Sequence, residues 1–114
     1  MVPADLATIY NLNPLFAAGY SGQGQTIVVI EDSDLYKTSD WTTFRSVFGL
    51  ASAYPQGSLS QVHPGNCTDP GVNGADGEAV IDVEWSSAAA PSAAIELASC
   101  ADSATAFGGS RRQR

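Results

Sequence analysis

Asp76-Gly77-Glu78-Ala79-Val80-Ile81-Asp82-Val83-Glu84-Trp85-Ser86-Ser87-Ala88-Ala89-Ala90-Pro91 reads as one helix. Asp76 is an N-cap by type, because its carboxylate can accept from the orphan N–H groups of a first turn. Pro91 cannot continue a helix and marks its end. The apolar residues Ala79, Val80, Ile81, Val83, Trp85 and Ala88–Ala90 cover most of the circumference, the pattern of a buried helix. Glu78 and Asp82 stand four apart and so share a face, which Ser86 continues. Glu84 lies well round from them. Like charges at this spacing repel, and burial makes each charge more costly. A proton shared between the two carboxylates relieves both effects, and the pair then titrates as a unit. The plainer reading of the same spacing is two solvated surface carboxylates, which a helix carries at little cost.

Around this helix the chain is short. Its 114 residues allow one small domain, and 44% hydrophobic with 15% charged residues is a composition that folds. The net charge of −7 argues against nucleic acid or an anionic membrane surface as partner. No run is long enough to span a bilayer, and Met1 does not open a signal peptide, so an export signal for a secreted protein would lie upstream. Lys37 and Arg45 are the only bases before position 110, against 12 acids, a balance of 2 − 12 = −10. That excess of carboxylates suits work in acid, where much of the charge is neutralised, and it is equally an ordinary acidic surface. Cys67 and Cys100 flank the helix. They form either a disulfide, which implies an oxidising compartment, or two thiols.

Upstream, Pro3–Tyr10 reads as a short helix with Leu6, Ile9 and Tyr10 as its apolar contacts, and Asn13-Pro14 breaks it. Leu15–Ala18 can form one further turn. The glycines of Gly19-Tyr20-Ser21-Gly22-Gln23-Gly24 precede a strand and do not follow one, which excludes a dinucleotide-binding turn. Gln25–Glu31 is a β-branched run without alternation, as in a parallel strand covered on both faces. Glu31, Asp32 and Asp34 come at its C-terminal end, where ligands bind in open α/β sheets. A helix capped by Thr38 or Ser39 is expected over Asp40–Phe48, with Trp41, Phe44, Val47 and Phe48 inward and Gly49 just past its end. Ala51–Gly57 reads as loop, Ser58–His63 as a less apolar strand near an edge, and 64–75 as a long loop. Asn66-Cys67-Thr68 fits a glycosylation sequon, a motif too short to carry weight. Ala93–Ser99 is a third strand, and Ala104–Gly109 can start another helix. The order β-α-β-α-β predicts an α/β fold, a parallel β-sheet with flanking helices and right-handed crossovers.

Two catalytic readings use these acids. Asp32 followed by His63 superficially matches the Asp–His order of a subtilisin-type triad. His63 runs into Pro64-Gly65-Asn66, however, and not into a helix that would aim an imidazole. The other reading uses the carboxylates themselves. A Glu acts as general base toward a serine hydroxyl when the working pH is acidic, and a neighbouring Asp orients it, as Asp orients His in the familiar triad. Glu78 is then the base and Asp82 its orienter.

Several segments, in order, resemble the sedolisin family of serine-carboxyl peptidases. They are Val2-Pro3-Ala4-Asp5-Leu6 with Tyr10-Asn11-Leu12, Gly22 through Glu31, Gly74-Ala75-Asp76-Gly77-Glu78 through Trp85, Ala90-Pro91 and Phe107-Gly108-Gly109. The resemblance spans about residues 2–109 and implies a partial subtilisin-like fold and endopeptidase activity at acid pH on protein or peptide substrates. It assigns Glu78 and Asp82 as catalytic and places Glu31, with Asp32, in a supporting position behind them. It also implies secretion, a propeptide ahead of Val2, the rest of a peptidase domain, and a calcium ion bound by that remainder; no metal ligand is assigned in these 114 residues. The family's nucleophile segment, Ser-Gly-Thr-Ser, its oxyanion-hole Asp and its calcium loop are not in this sequence. Ser110-Arg111-Arg112-Gln113-Arg114 does not match the family. The expectation is the N-terminal part of a peptidase domain over 1–109 with a basic tail at 110–114. Such a chain is inactive by itself and marginally stable. The alternatives are a truncated relative acting as a non-catalytic binding module, or a small acidic binding domain unrelated to peptidases.

Overall fold

A computed structural model describes residues 1–65 and 67–101. The helix expected at Ala104–Gly109, the basic tail at 110–114 and the sequon's Asn66 lie outside these residues. The elements are α1 (Pro3–Ile9), α2 (Asn13–Ala17), β1 (Thr26–Glu31), α3 (Ser39–Val47), α4 (Leu50–Ala53), β2 (Ser58–Val62), α5 (Asp76–Ala89) and β3 (Ala94–Ser99). The three strands form one parallel sheet in the order β1-β3-β2. The last strand therefore lies in the middle, with Ile27 and Leu59 on either side of Ile95. The α/β class and the parallel sheet flanked by helices are as the sequence predicts.

Strand alternation divides the sheet sharply. Ile27, Val29, Leu59, Ile95 and Leu97 pack with Leu35, with Trp41 of α3 and with Ala79 and Val83 of α5 in one core. The opposite face carries Val28 and Ile30, which are 53% and 50% exposed. The unbroken β-branched run of β1 is thus not covered on both faces, as its composition suggests; the described residues stack their helices on one side only. This stacking corrects the expectation of uniformly right-handed crossovers. The connection β1-α3-β2 and the connection β2-α5-β3 run in opposite directions across the sheet, yet α3 and α5 lie on the same face. Two such connections have opposite hands, so one of them is of the rare left-handed kind.

Helix α5 ends one residue before Ala90 and two before Pro91, where the sequence stops it, but it starts differently. Asp76 is its first helical residue, Ala75 stands at the N-cap without a side-chain cap, and Asp76 and Glu78 lie in the first turn, where the helix dipole favours acids. Nor is α5 buried all round. Ala79, Val83 and Ser87 are fully buried along one line, whereas Ile81 is 55% exposed. Helix α3 is also rotated from its expected facing. Trp41 and Arg45 are its buried residues, and Val47 and Phe48 are exposed. Gly49 takes φ +75°, the left-handed conformation expected just past a helix, and a single turn, α4, follows where a loop was expected. In α1, Pro3 and Ala7 face inward, while Ile9 and Tyr10 are exposed.

Between α3 and α5 a groove brings Glu84 near Asp40, with Phe44 and Val80 in its walls. Burial, and then the Asp40 charge, push the Glu84 carboxyl above its ordinary value. A carboxyl raised in the folded state contributes stability below its unfolded pKa, and that stability is lost as pH rises through the folded value. Glu84→Gln should therefore melt higher than the parent chain at neutral pH, with the difference closing in acid. Thermal denaturation at the two pH values checks this, and an equal or lower melting temperature at neutral pH would contradict it.

Candidate functional site

The candidate residues gather at the C-terminal ends of the strands. Glu31 is the last residue of β1 and sits beside Ser99, the last residue of β3. Both follow the core-facing positions 27, 29, 95 and 97, so alternation turns both toward the helical layer. The first two turns of α5 stand over this end. Glu31, Glu78 and Asp82 each bring a carboxylate oxygen there, all within 4.8 Å of one another. Glu31 is 2% exposed, Asp82 is half-buried and Glu78 is exposed. The three carboxylates thus run from solvent into the core. Asp32 is not in this group; its backbone carbonyl accepts a hydrogen bond from Asn73 Nδ2 at 2.8 Å.

The 64–75 loop lies across the same end. The Cys67–Cys100 disulfide ties it to the residue after β3, with the Cα atoms 5.4 Å apart. The Ala101 N–H donates to the Thr68 carbonyl at 2.7 Å, and the Asp34 N–H to the Gly71 carbonyl at 2.9 Å. Asn73 receives the chain on its way into α5. Its N–H donates to Ser33 Oγ, and its Oδ1 accepts from the Ala75 N–H. This loop sets where α5 begins, and hence where Glu78 stands. A bridge between residues 33 apart stabilises by roughly 3–4 kcal/mol in the chain-entropy model. Reduction, or Cys67→Ser with Cys100→Ser, should lower the melting temperature by on the order of 15 °C. Superimposable melts with and without reductant would contradict that.

His63 has neighbours that sequence reasoning missed. Its Nδ1 lies 3.0 Å from the Ser99 carbonyl and 3.2 Å from Ser99 Oγ. Its Nε2 faces Asp69 Oδ2 at 3.4 Å and Asp34 Oδ2 at 3.9 Å. The Ser99–carbonyl contact, followed by the two carboxylates against the cost of burial, raises the His63 pKa. Burial above all raises that of Asp34. The Gly71 N–H above all lowers that of Asp69. Serine, histidine and aspartate here do not make a hydrolytic triad. Ser99 is fully buried and its hydroxyl donates to Asp34 Oδ1, so no substrate carbonyl can reach it. No periodicity links Asp34, His63 and Asp69; only the folded loop brings them together.

Comparison of the chain with protein-family models, with curated proteins and with solved structures finds no match.

Proposed function

We propose that this chain carries the acid half of a serine-carboxyl endopeptidase site on a partial subtilisin-like fold. Glu78 is the general base, Asp82 orients it, and Glu31 supports the pair from the core. The observation that carries this reading is the convergence of the three carboxylates at the C-terminal end of a parallel sheet, where open α/β sheets bind their ligands. Their gradation of burial suits the chemistry. The exposed Glu78 can meet a hydroxyl and a substrate, while the two less accessible acids fix its orientation. The Cys67–Cys100 bridge supports an oxidising, extracellular setting. Among the described residues no helix is long and apolar enough to cross a membrane.

A serine in a Ser-Gly-Thr-Ser segment is required to complete the site, and these 114 residues contain no such segment. The test is to sequence the source gene beyond codon 114 in all frames and to express the extended chain. An extended chain with that segment should cleave a denatured protein at about pH 4, where a carboxylate can serve as base. A gene lacking the segment in every frame, or an extended chain inert in acid, would overturn the reading.

A further inference from the structure

We propose that Asp34, His63 and Asp69 bind a divalent cation of the zinc class at the C-terminal end of the sheet. The inference is independent of the peptidase reading, because it uses none of Glu31, Glu78 or Asp82.

Every donor in the set has its second atom held by a group outside the set. Ser99 Oγ donates to Asp34 Oδ1 at 2.5 Å, which leaves Oδ2 toward His63. The Gly71 N–H donates to Asp69 Oδ1 at 2.8 Å, which again leaves Oδ2 toward His63. The Ser99 carbonyl, an acceptor only, lies 3.0 Å from His63 Nδ1 and so calls for the Nδ1–H tautomer. The Ser99 hydroxyl, with its proton committed to Asp34, presents a lone pair to the same Nδ1–H. A neutral imidazole held this way points the lone pair of Nε2 at two carboxylate oxygens. Outer hydrogen bonds of this kind orient metal-binding histidines and carboxylates.

The corner they enclose brings Nε2 and two carboxylate groups together, an arrangement that a positive centre stabilises. A proton on Nε2 engages one oxygen well; a cation engages all three donors at once. The dimensions suit the cation. Tetrahedral zinc with bonds of about 2.0–2.2 Å places its ligands roughly 3.3–3.6 Å apart. The two edges at Nε2 are 3.4 and 3.9 Å, and all three donor atoms lie within 4.8 Å of one another, so closure asks for a small inward movement of the two carboxylates. The imidazole is what distinguishes this corner from an acidic surface patch. Its nitrogen favours zinc and related transition metals over calcium or magnesium, and two carboxylates balance the double charge. Asp34 is buried whereas the Asp69 side chain is 61% exposed, so one side of the corner is open for a metal to enter.

The experiment is a calorimetric titration of the full 114-residue chain, disulfide intact, with zinc chloride near neutral pH. It is paired with long-range ¹H–¹⁵N spectra of the His63 ring. One equivalent should bind saturably, Nε2 should shift as a coordinated nitrogen, and Nδ1 should stay an N–H. Asp69→Asn changes an exposed loop residue and keeps the fold; it should weaken binding about 10- to 100-fold. His63→Gln should abolish binding. Absence of saturable binding, a His63 that keeps its Nε2 proton throughout the titration, coordination at Nδ1, or undiminished affinity in Asp69→Asn would each overturn the proposal.

Discussion

Arg45→Ala should cost the chain about 2–5 kcal/mol of stability, a large share of what a small domain holds. Arg45 is 3% exposed. Its Nη1 donates to Ser87 Oγ at 2.6 Å and to the Pro91 carbonyl at 2.9 Å. Its Nη2 donates to the carbonyls of Leu50 at 3.3 Å and Tyr54 at 2.6 Å, and the guanidinium stacks over the Trp41 ring at 5.0 Å. One side chain thereby closes the end of α5, the end of α4 and the turn into β3. Gly57 belongs to the same construction, because a Cβ there would collide with the Pro91 carbonyl and the guanidinium. Truncation takes the donor from the buried Ser87 Oγ and Pro91 carbonyl, at a cost of about 1–3 kcal/mol for each that water cannot reach, while the Leu50 and Tyr54 carbonyls keep the Tyr54 and Gly57 N–H groups. A small domain holds only about 5–15 kcal/mol in total. Lysine should rescue only in part, since an ammonium cannot span the guanidinium's fork. Urea denaturation followed by circular dichroism measures the loss. A midpoint for Arg45→Ala equal to the parent's would show the clamp to be unimportant.

That clamp was illegible in the sequence, and the reason is instructive. Arg45 falls four residues after Trp41, on the same line of α3, and a charged residue there reads as solvent-facing. Only the backbone carbonyls at the ends of α4 and α5 make its burial favourable, and no pattern within α3 announces them. Val47 and Phe48 were expected in its place because apolarity was the only available guide. The strands show the opposite case. Their existence and order along the chain were legible, β1 from its β-branched run and β2 and β3 from shorter apolar segments, but the open face of β1 was not, because composition registers what a face could bury and not what covers it. Handedness was likewise invisible, since the spatial order β1-β3-β2 depends on β3 entering between the two earlier strands.

The candidate site divides in the same way. Glu78 and Asp82 could be placed on one face by spacing alone, since a helix converts an interval of four into proximity. Glu31 was marked by its place at a strand end, yet its approach to the other two depends on how α5 lies over β1. Asp34, His63 and Asp69 lie on three separate segments, and the loop that unites them is fixed by a disulfide, by Asn73 and by backbone hydrogen bonds. The pairing of Cys67 with Cys100 was open to sequence reasoning because there are two cysteines; its effect on the loop was not.

In a chain extended through the serine segment, Glu78→Gln should cut peptide hydrolysis by about 10²–10⁴-fold, the usual worth of a positioned general base. The substitution is nearly isosteric at an exposed position, so the melting temperature should hold while kcat falls. That split separates chemistry from folding. Asp82→Asn should also lower kcat, because a neutral amide cannot orient and stabilise Glu78 as a carboxylate does when Glu78 takes up the hydroxyl proton. Glu31→Gln touches neither hydroxyl nor substrate. Its effect on kcat should therefore be smaller than that of Glu78→Gln or Asp82→Asn. His63→Gln should leave hydrolysis in acid within a fewfold of the parent, because Ser99 is sealed and the imidazole serves the loop. Full activity in Glu78→Gln, or its loss only in His63→Gln, would transfer the chemistry from the carboxylates to the imidazole and end the serine-carboxyl assignment.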